Sequence, residues 1–191
     1  YCQWSPNEKV ALEVAAGASL AGARTICCMK HVGLNVAADP LMTLSYLGIK
    51  GGMAIIVADD PGMHSSQNEQ DSRHYARFAK IPILEPSDST EAKDFMRLAM
   101  EISERFRTPV IVRSTTRISH SKSVVTLGER TPHKADGFEK NPQLYVPIPI
   151  HARKMRVAVE ERSRQLTDYA SHECPCNIIM PGSNELGIIT S

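Results

Sequence analysis

Four short runs constrain this chain most, because three of them are apolar at consecutive positions and not at alternate ones: 24–29, 53–58 and 110–114, with a briefer one at 81–84. A strand with apolar residues on both faces is covered on both faces, which is the habit of parallel sheets flanked by helices. Stretches of helical period separate the runs, so the order strand, loop, helix repeats. The chain is therefore expected to fold as α/β, with a mostly parallel open sheet and helices on both faces.

Local signals place the elements. Residues 5–22 read as a helix: Ser5 is a good N-cap, Pro6 suits the first turn, and Glu8 completes an S-x-x-E capping box ahead of a small, apolar body. Residues 30–35 form a polar, glycine-containing loop at the carboxyl end of the first strand, where ligands sit in open α/β sheets. A helix follows over 37–48. The second strand ends in Asp59-Asp60-Pro61-Gly62, and the polar loop 63–71 comes next, again at a carboxyl end. After a short helix at 71–79 and the run 81–84, Ser87 or Asp88 caps an amphipathic helix with Phe95, Leu98, Ala99, Ile102 and Phe106 on one face.

Beyond Val125 the character changes, since 126–150 is dotted with prolines and charges and has neither period. Helical period returns from 154 to 170, and 176–180 and 186–190 are strand-like. The organisation read from this is one domain over 1–125, a linker over 126–153, and over 154–191 a linker helix with the start of a second α/β domain. A chain that starts at Tyr1 and stops on a strand-like run is read as part of a longer polypeptide.

Composition removes several classes. Twenty-two basic and 21 acidic side chains give a net charge of +1, so no long-range field favours nucleic acid or an anionic membrane. No run approaches the ~20 apolar residues of a membrane span, the first residues lack the basic and apolar regions of a signal peptide, and the expected location is cytoplasmic. The five cysteines include the adjacent Cys27 and Cys28, expected to be reduced, buried thiols, and the pair Cys174 and Cys176, which with the isolated Cys2 are expected to be structural and to form neither a metal nor a redox site. Phosphate-loop, G-x-G-x-x-G, G-x-S-x-G and H-E-x-x-H motifs are absent.

Three positions stay open on residue grounds. His31 and His64 both lie in loops at strand carboxyl ends, where they could face a ligand or simply hydrogen-bond within their loops. Glu8 is explained locally by capping, yet a carboxylate beside such an edge could also do chemistry.

The segments 5–15 (SPNEKVALEVA), 29–42 (MKHVGLNVAADPLM) and 57–71 (VADDPGMHSSQNEQD) closely resemble the large subunits of indolepyruvate ferredoxin oxidoreductases. These belong to the thiamine-diphosphate-dependent 2-oxoacid ferredoxin oxidoreductases, and the resemblance runs almost unbroken from Trp4 to about Val125. It implies a pyrimidine-binding domain in which Glu8 hydrogen-bonds N1′ of the cofactor's aminopyrimidine ring. A carboxyl group there favours the imino tautomer, whose nitrogen takes the proton from C2 of the thiazolium. The resemblance further implies that His31, Gly33 and Asn35 approach the cofactor, and that His31, His64, Ser65 and Ser66 line the substrate. It implies oxidative decarboxylation of an aryl 2-oxoacid to an aryl-acetyl thioester of coenzyme A, with ferredoxin as electron acceptor. Pyruvate or another 2-oxoacid, or a non-catalytic module of the same fold, are the alternatives. The Gly-Asp-Gly motif that holds diphosphate and Mg²⁺ is missing, as are the ferredoxin-like cysteine runs of the iron–sulfur clusters. The implied partners are the remaining domains of the same polypeptide, a small (beta) subunit and ferredoxin.

Overall fold

The computed structural model describes residues 1–183 and 185–189. Its order is α1 (Glu8–Leu20), β1 (Thr25–Lys30), α2 (His31–Val36), α3 (Ala38–Leu47), β2 (Met53–Asp59), α4 (Arg73–Ala79) and β3 (Ile83–Leu84). Then come α5 (Ser89–Phe106), β4 (Val110–Thr115), α6 (Thr116–His120), α7 (Pro142–Tyr145) and α8 (Pro149–His172). The strands pair in the order β1-β2-β4-β3, every pair parallel, with Ile55 opposite Cys27 on one side and Ile111 on the other. The expected α/β class is what forms.

Two apolar layers hold the sheet. On one face Cys27, Met29, Met53, Ile55, Val57 and Ile111 meet Leu12 of α1 and Leu34, Leu41 and Leu44 of α2 and α3. On the other, Ala54, Val110 and Val112 meet Leu98, Ala99 and Ile102 of α5, with Phe95 and Phe106 packed at the edge of that cluster. The α5 stripe is the one its spacing predicts, and Asp88 is its cap, accepting from the Glu91 amide. The second layer stops short of β1, where Ile26 is 54% exposed and Cys28 lies open. The expectation of two buried thiols at 27–28 is thus corrected for Cys28: adjacent strand residues face opposite ways, and only the Cys27 side has a helix over it.

The amino-terminal edge of the sheet is tied by buried serines. Ser19 Oγ donates to Gly51 O (2.6 Å), and Ser103 Oγ accepts from Met53 N (2.8 Å) and donates to Thr108 O (2.7 Å). Gly51 is required there, because a Cβ would stand 2.3 Å from Ala23 O. The segment after β4 docks on the same edge through Lys50 Nζ to Asp136 Oδ1 (3.1 Å) and Gly137 N to Ala21 O (3.0 Å).

Helix α8 starts earlier than its charge pattern suggests, with Pro149 in its first turn. It buries Met155 and Val159 where it crosses α3. Residues 176–180 and the described part of 186–190 form no strand; Thr190 falls outside the described residues.

Candidate functional site

A helix that feeds a strand runs back along it, so the amino end of α1 and the carboxyl ends of β1, β2 and β4 gather on one edge of the sheet. Glu8, α2, the loop 60–71 and Thr116 all stand on this edge.

Glu8 is the first residue of α1, and the S-x-x-E box does not form. Asn7 is the cap: its side chain accepts from Val10 N at 3.0 Å, and Ser5 lies outside the helix. Both caps are good residues for the role, and the chain uses the one nearer the helix body. Glu8 is half-buried and its carboxylate makes no hydrogen bond or ion pair among the described residues. It lies against Gly33, where a Cβ would come 2.5 Å from Glu8 Cγ and 2.9 Å from Oε1. Glycine at position 33 therefore clears the space the carboxylate occupies.

The stretch 30–35, expected as a loop, is mostly helix α2. Burial decides it: His31, Gly33 and Leu34 are all buried, and packing overrides the poor helix propensity of glycine and asparagine. His31 is 1% exposed, with Nδ1 3.2 Å from Ala58 O and Nε2 3.2 Å from Asn68 O. A neutral imidazole has one N–H and can donate to only one of these carbonyls; the imidazolium donates to both. Either way both ring nitrogens face protein, so His31 acts on the edge through the loop it grips and presents no free nitrogen to a ligand. Asn35 is exposed and accepts from Tyr75 Oη at 2.5 Å, which links α2 to α4.

The loop 60–71 is organised by the two aspartates that end β2. Asp60 Oδ1 accepts from His64 N (3.1 Å) and Thr116 Oγ1 (2.6 Å), and Oδ2 accepts from Ser65 N (2.8 Å). These donors, Thr116 foremost, hold the Asp60 carboxyl far below the usual carboxylate range. His64 and Ser65 leave their side chains exposed, whereas the Ser66 hydroxyl is buried. Asp59 turns inward: Oδ2 accepts from Arg113 Nε (2.6 Å) and from both the amide and hydroxyl of Ser72 (3.0 Å each), while Oδ1 is buried and unpartnered. Arg113 also pairs with Glu85, and Asp71 is pulled down to about 2, chiefly by its hydrogen bonds from Arg73.

Sequence reading missed Asp59, Asp60, Ser72, Arg113 and Thr116. The available signals were a carboxylate doublet at the end of a buried strand and a lone arginine in an apolar one. Among the described residues no three His, Cys, Asp or Glu side chains converge as a metal site. Two open clefts, about 470 and 530 Å³, lie elsewhere: one between α3, α5, α7 and α8, the other around His74, Phe78 and Arg156.

No protein-family model matches the sequence. The fold is shared with part of a 2-oxoglutarate:ferredoxin oxidoreductase from Magnetococcus marinus: 86% of the chain superposes, with TM-score 0.63 and 13% identity, on 36% of that chain. The sequence then narrows the likeness to indolepyruvate oxidoreductase subunit IorA. Identity is 49% to the Methanothermobacter marburgensis subunit over all of this chain, and 54% to the Pyrococcus horikoshii subunit over 80% of it. The chain spans 31% and 24% of the length of these relatives. The family resemblance read from the three sequence segments is borne out.

Proposed function

We propose that this chain is the pyrimidine-binding segment of a cytoplasmic 2-oxoacid oxidoreductase that uses thiamine diphosphate, decarboxylates aryl 2-oxoacids such as indolepyruvate, and forms an aryl-acetyl thioester with coenzyme A. Ferredoxin is the electron acceptor, and a small (beta) subunit and the remaining domains of the polypeptide complete the enzyme. The observation that carries this reading is Glu8, a half-buried carboxylate without a partner among the described residues, seated over a glycine that leaves it room. Such a group fits the ring nitrogen of an aminopyrimidine, with which it can share a proton. Bound thiamine diphosphate supplies the carbon nucleophile and electron sink that loss of carbon dioxide from a 2-oxoacid requires.

The chain's own residues divide the remaining work. Glu8 holds the proton at the ring nitrogen, and Gly33 keeps the surface beneath it flat. His64, Ser65 and Ser66 border the substrate side, on a loop whose shape Asp60 sets through the amides of residues 64 and 65. His31 fixes that loop from below through Asn68 O, and Asn35 fixes α2 through Tyr75. Diphosphate, Mg²⁺ and iron–sulfur clusters are held by other parts of the enzyme, and residues 154–191 lead into the next domain.

The test uses the complete polypeptide with its small subunit. Reduction of ferredoxin, dependent on thiamine diphosphate and coenzyme A, is expected with indolepyruvate and phenylpyruvate and to be much slower with pyruvate. Faster reduction with pyruvate would overturn the aryl assignment, and none with any 2-oxoacid would overturn the enzyme reading in favour of a non-catalytic module.

A further inference from the structure

The turn that leaves α8 brings together two sulfurs that the carboxyl-edge site does not use. Cys174 Sγ and Cys176 Sγ stand 2.8 Å apart, and both are free thiols. A disulfide bond is about 2.05 Å long, so bond formation requires a movement of under about 1 Å.

The backbone enforces this proximity. Glu173 N and Cys174 N both donate to Tyr169 O at 2.9 Å, Asn177 N donates to Cys174 O at 3.3 Å, and Asn177 Nδ2 donates to Ala170 O at 2.9 Å. Pro175 fixes φ between the two cysteines. The turn is thus folded back on the end of α8 by four hydrogen bonds, none of which involves sulfur. Cys174 is 9% exposed and packs with Leu166, Tyr169 and the α5 layer, while Cys176 is half-buried and is the sulfur an outside reagent can reach.

We propose that Cys174 and Cys176 are a dithiol–disulfide site, oxidised by an external disulfide, that locks the chain where it leaves α8. In the first step the Cys176 thiolate attacks one sulfur of the reagent, forming a mixed disulfide and expelling a thiolate that takes up the proton Cys176 gave up. In the second, Cys174 attacks the Cys176 sulfur, the internal bond forms, and a second thiol leaves with the Cys174 proton. Two protein thiols are oxidised and one external disulfide is reduced to two thiols. Burial and the neighbouring Cys174 push the Cys176 thiol up to about 12. Because the thiolate is the nucleophile, exchange through Cys176 is slow at neutral pH.

The experiment incubates the complete enzyme with glutathione disulfide, quenches in acid, alkylates and maps peptides by mass. The tryptic peptide that begins at Gln165 and carries both cysteines is expected to be two hydrogens lighter, with Cys174 and Cys176 unalkylated and free of glutathione. Its rate of formation should rise about tenfold per pH unit between 7 and 9. The same loss should persist in a Cys2→Ser, Cys28→Ser variant, which removes the two exposed thiols. Both cysteines alkylated after Cys2 has become glutathionylated would overturn the proposal. So would a glutathione adduct that stays on Cys176, since the second sulfur would then have failed to displace it.

Discussion

The two walls of the sheet's carboxyl edge are similarly polar in sequence and differ in what they leave free. On the wall formed by residues 59–73, Asp60 is gripped by three donors, Asp59 by Arg113 and Ser72, and Asp71 by Arg73. On the wall formed by α1 and α2, His31 is held by two carbonyls, whereas the Glu8 carboxylate has no partner among the described residues and Gly33 clears a place for it. The first wall is built to hold a shape, and the second keeps one acid available. Polar density is therefore a weak guide to chemistry, and a free charged group at a cleared position is a better one.

That contrast can be broken most forcefully on the shaped wall. Arg113→Met removes the cation facing Asp59, whose side chain is fully buried, and leaving that charge unpaired should cost about 3–5 kcal/mol in urea or thermal unfolding. An unchanged midpoint would show that the wall is not pinned by this pair. A smaller effect is expected from acid. Asp60 and Asp71 are held below ordinary carboxylate values, so the folded state binds their protons less readily than the unfolded one. Their contribution is complete above about pH 4 and is lost as pH falls through about 2, the value for Asp71. Asp60→Asn should flatten that acid slope, measured by circular dichroism, and an identical slope would contradict the role given to Asp60.

The free wall should respond with smaller changes in stability and larger ones in turnover. Asn7→Ala removes the α1 cap and should lower stability by about 1 kcal/mol, with no titration effect. Loss of stability on Ser5→Ala instead would restore the box predicted from sequence. Gly33→Ala is expected to leave stability nearly unchanged, because the gain of roughly 1 kcal/mol in helix preference offsets displacement of a flexible Glu8 side chain. Turnover of the complete enzyme should nonetheless fall by about tenfold or more, as a misplaced catalytic group does. Full turnover with alanine at 33 would mean the cleared space has no catalytic use.

Much of the fold was legible because buried parallel strands write themselves as consecutive apolar residues, as 53–58 does, and because α5 carries a strong one-sided stripe capped by Asp88. What was not legible depended on contacts distant in sequence. Helix α2 forms over a glycine and an asparagine since the sheet buries His31 and Leu34. The choice of Asn7 over Ser5 is a contest between two good local caps. The Asp59 to Arg113 pair joins residues 54 apart, and no local pattern marks it. Exposure of Cys28 follows from where helices end on the second face. Glu8 was singled out by resemblance, and its freedom from capping became visible only in three dimensions.

On this reading Glu8 serves the cofactor and not the helix. Glu8→Gln, made in the complete enzyme, keeps the shape and removes the proton-holding charge. Turnover with indolepyruvate should fall by on the order of 10²-fold or more, with thiamine diphosphate still bound and the unfolding midpoint unmoved. Near-normal turnover, or a matching drop in the unfolding midpoint, would contradict it.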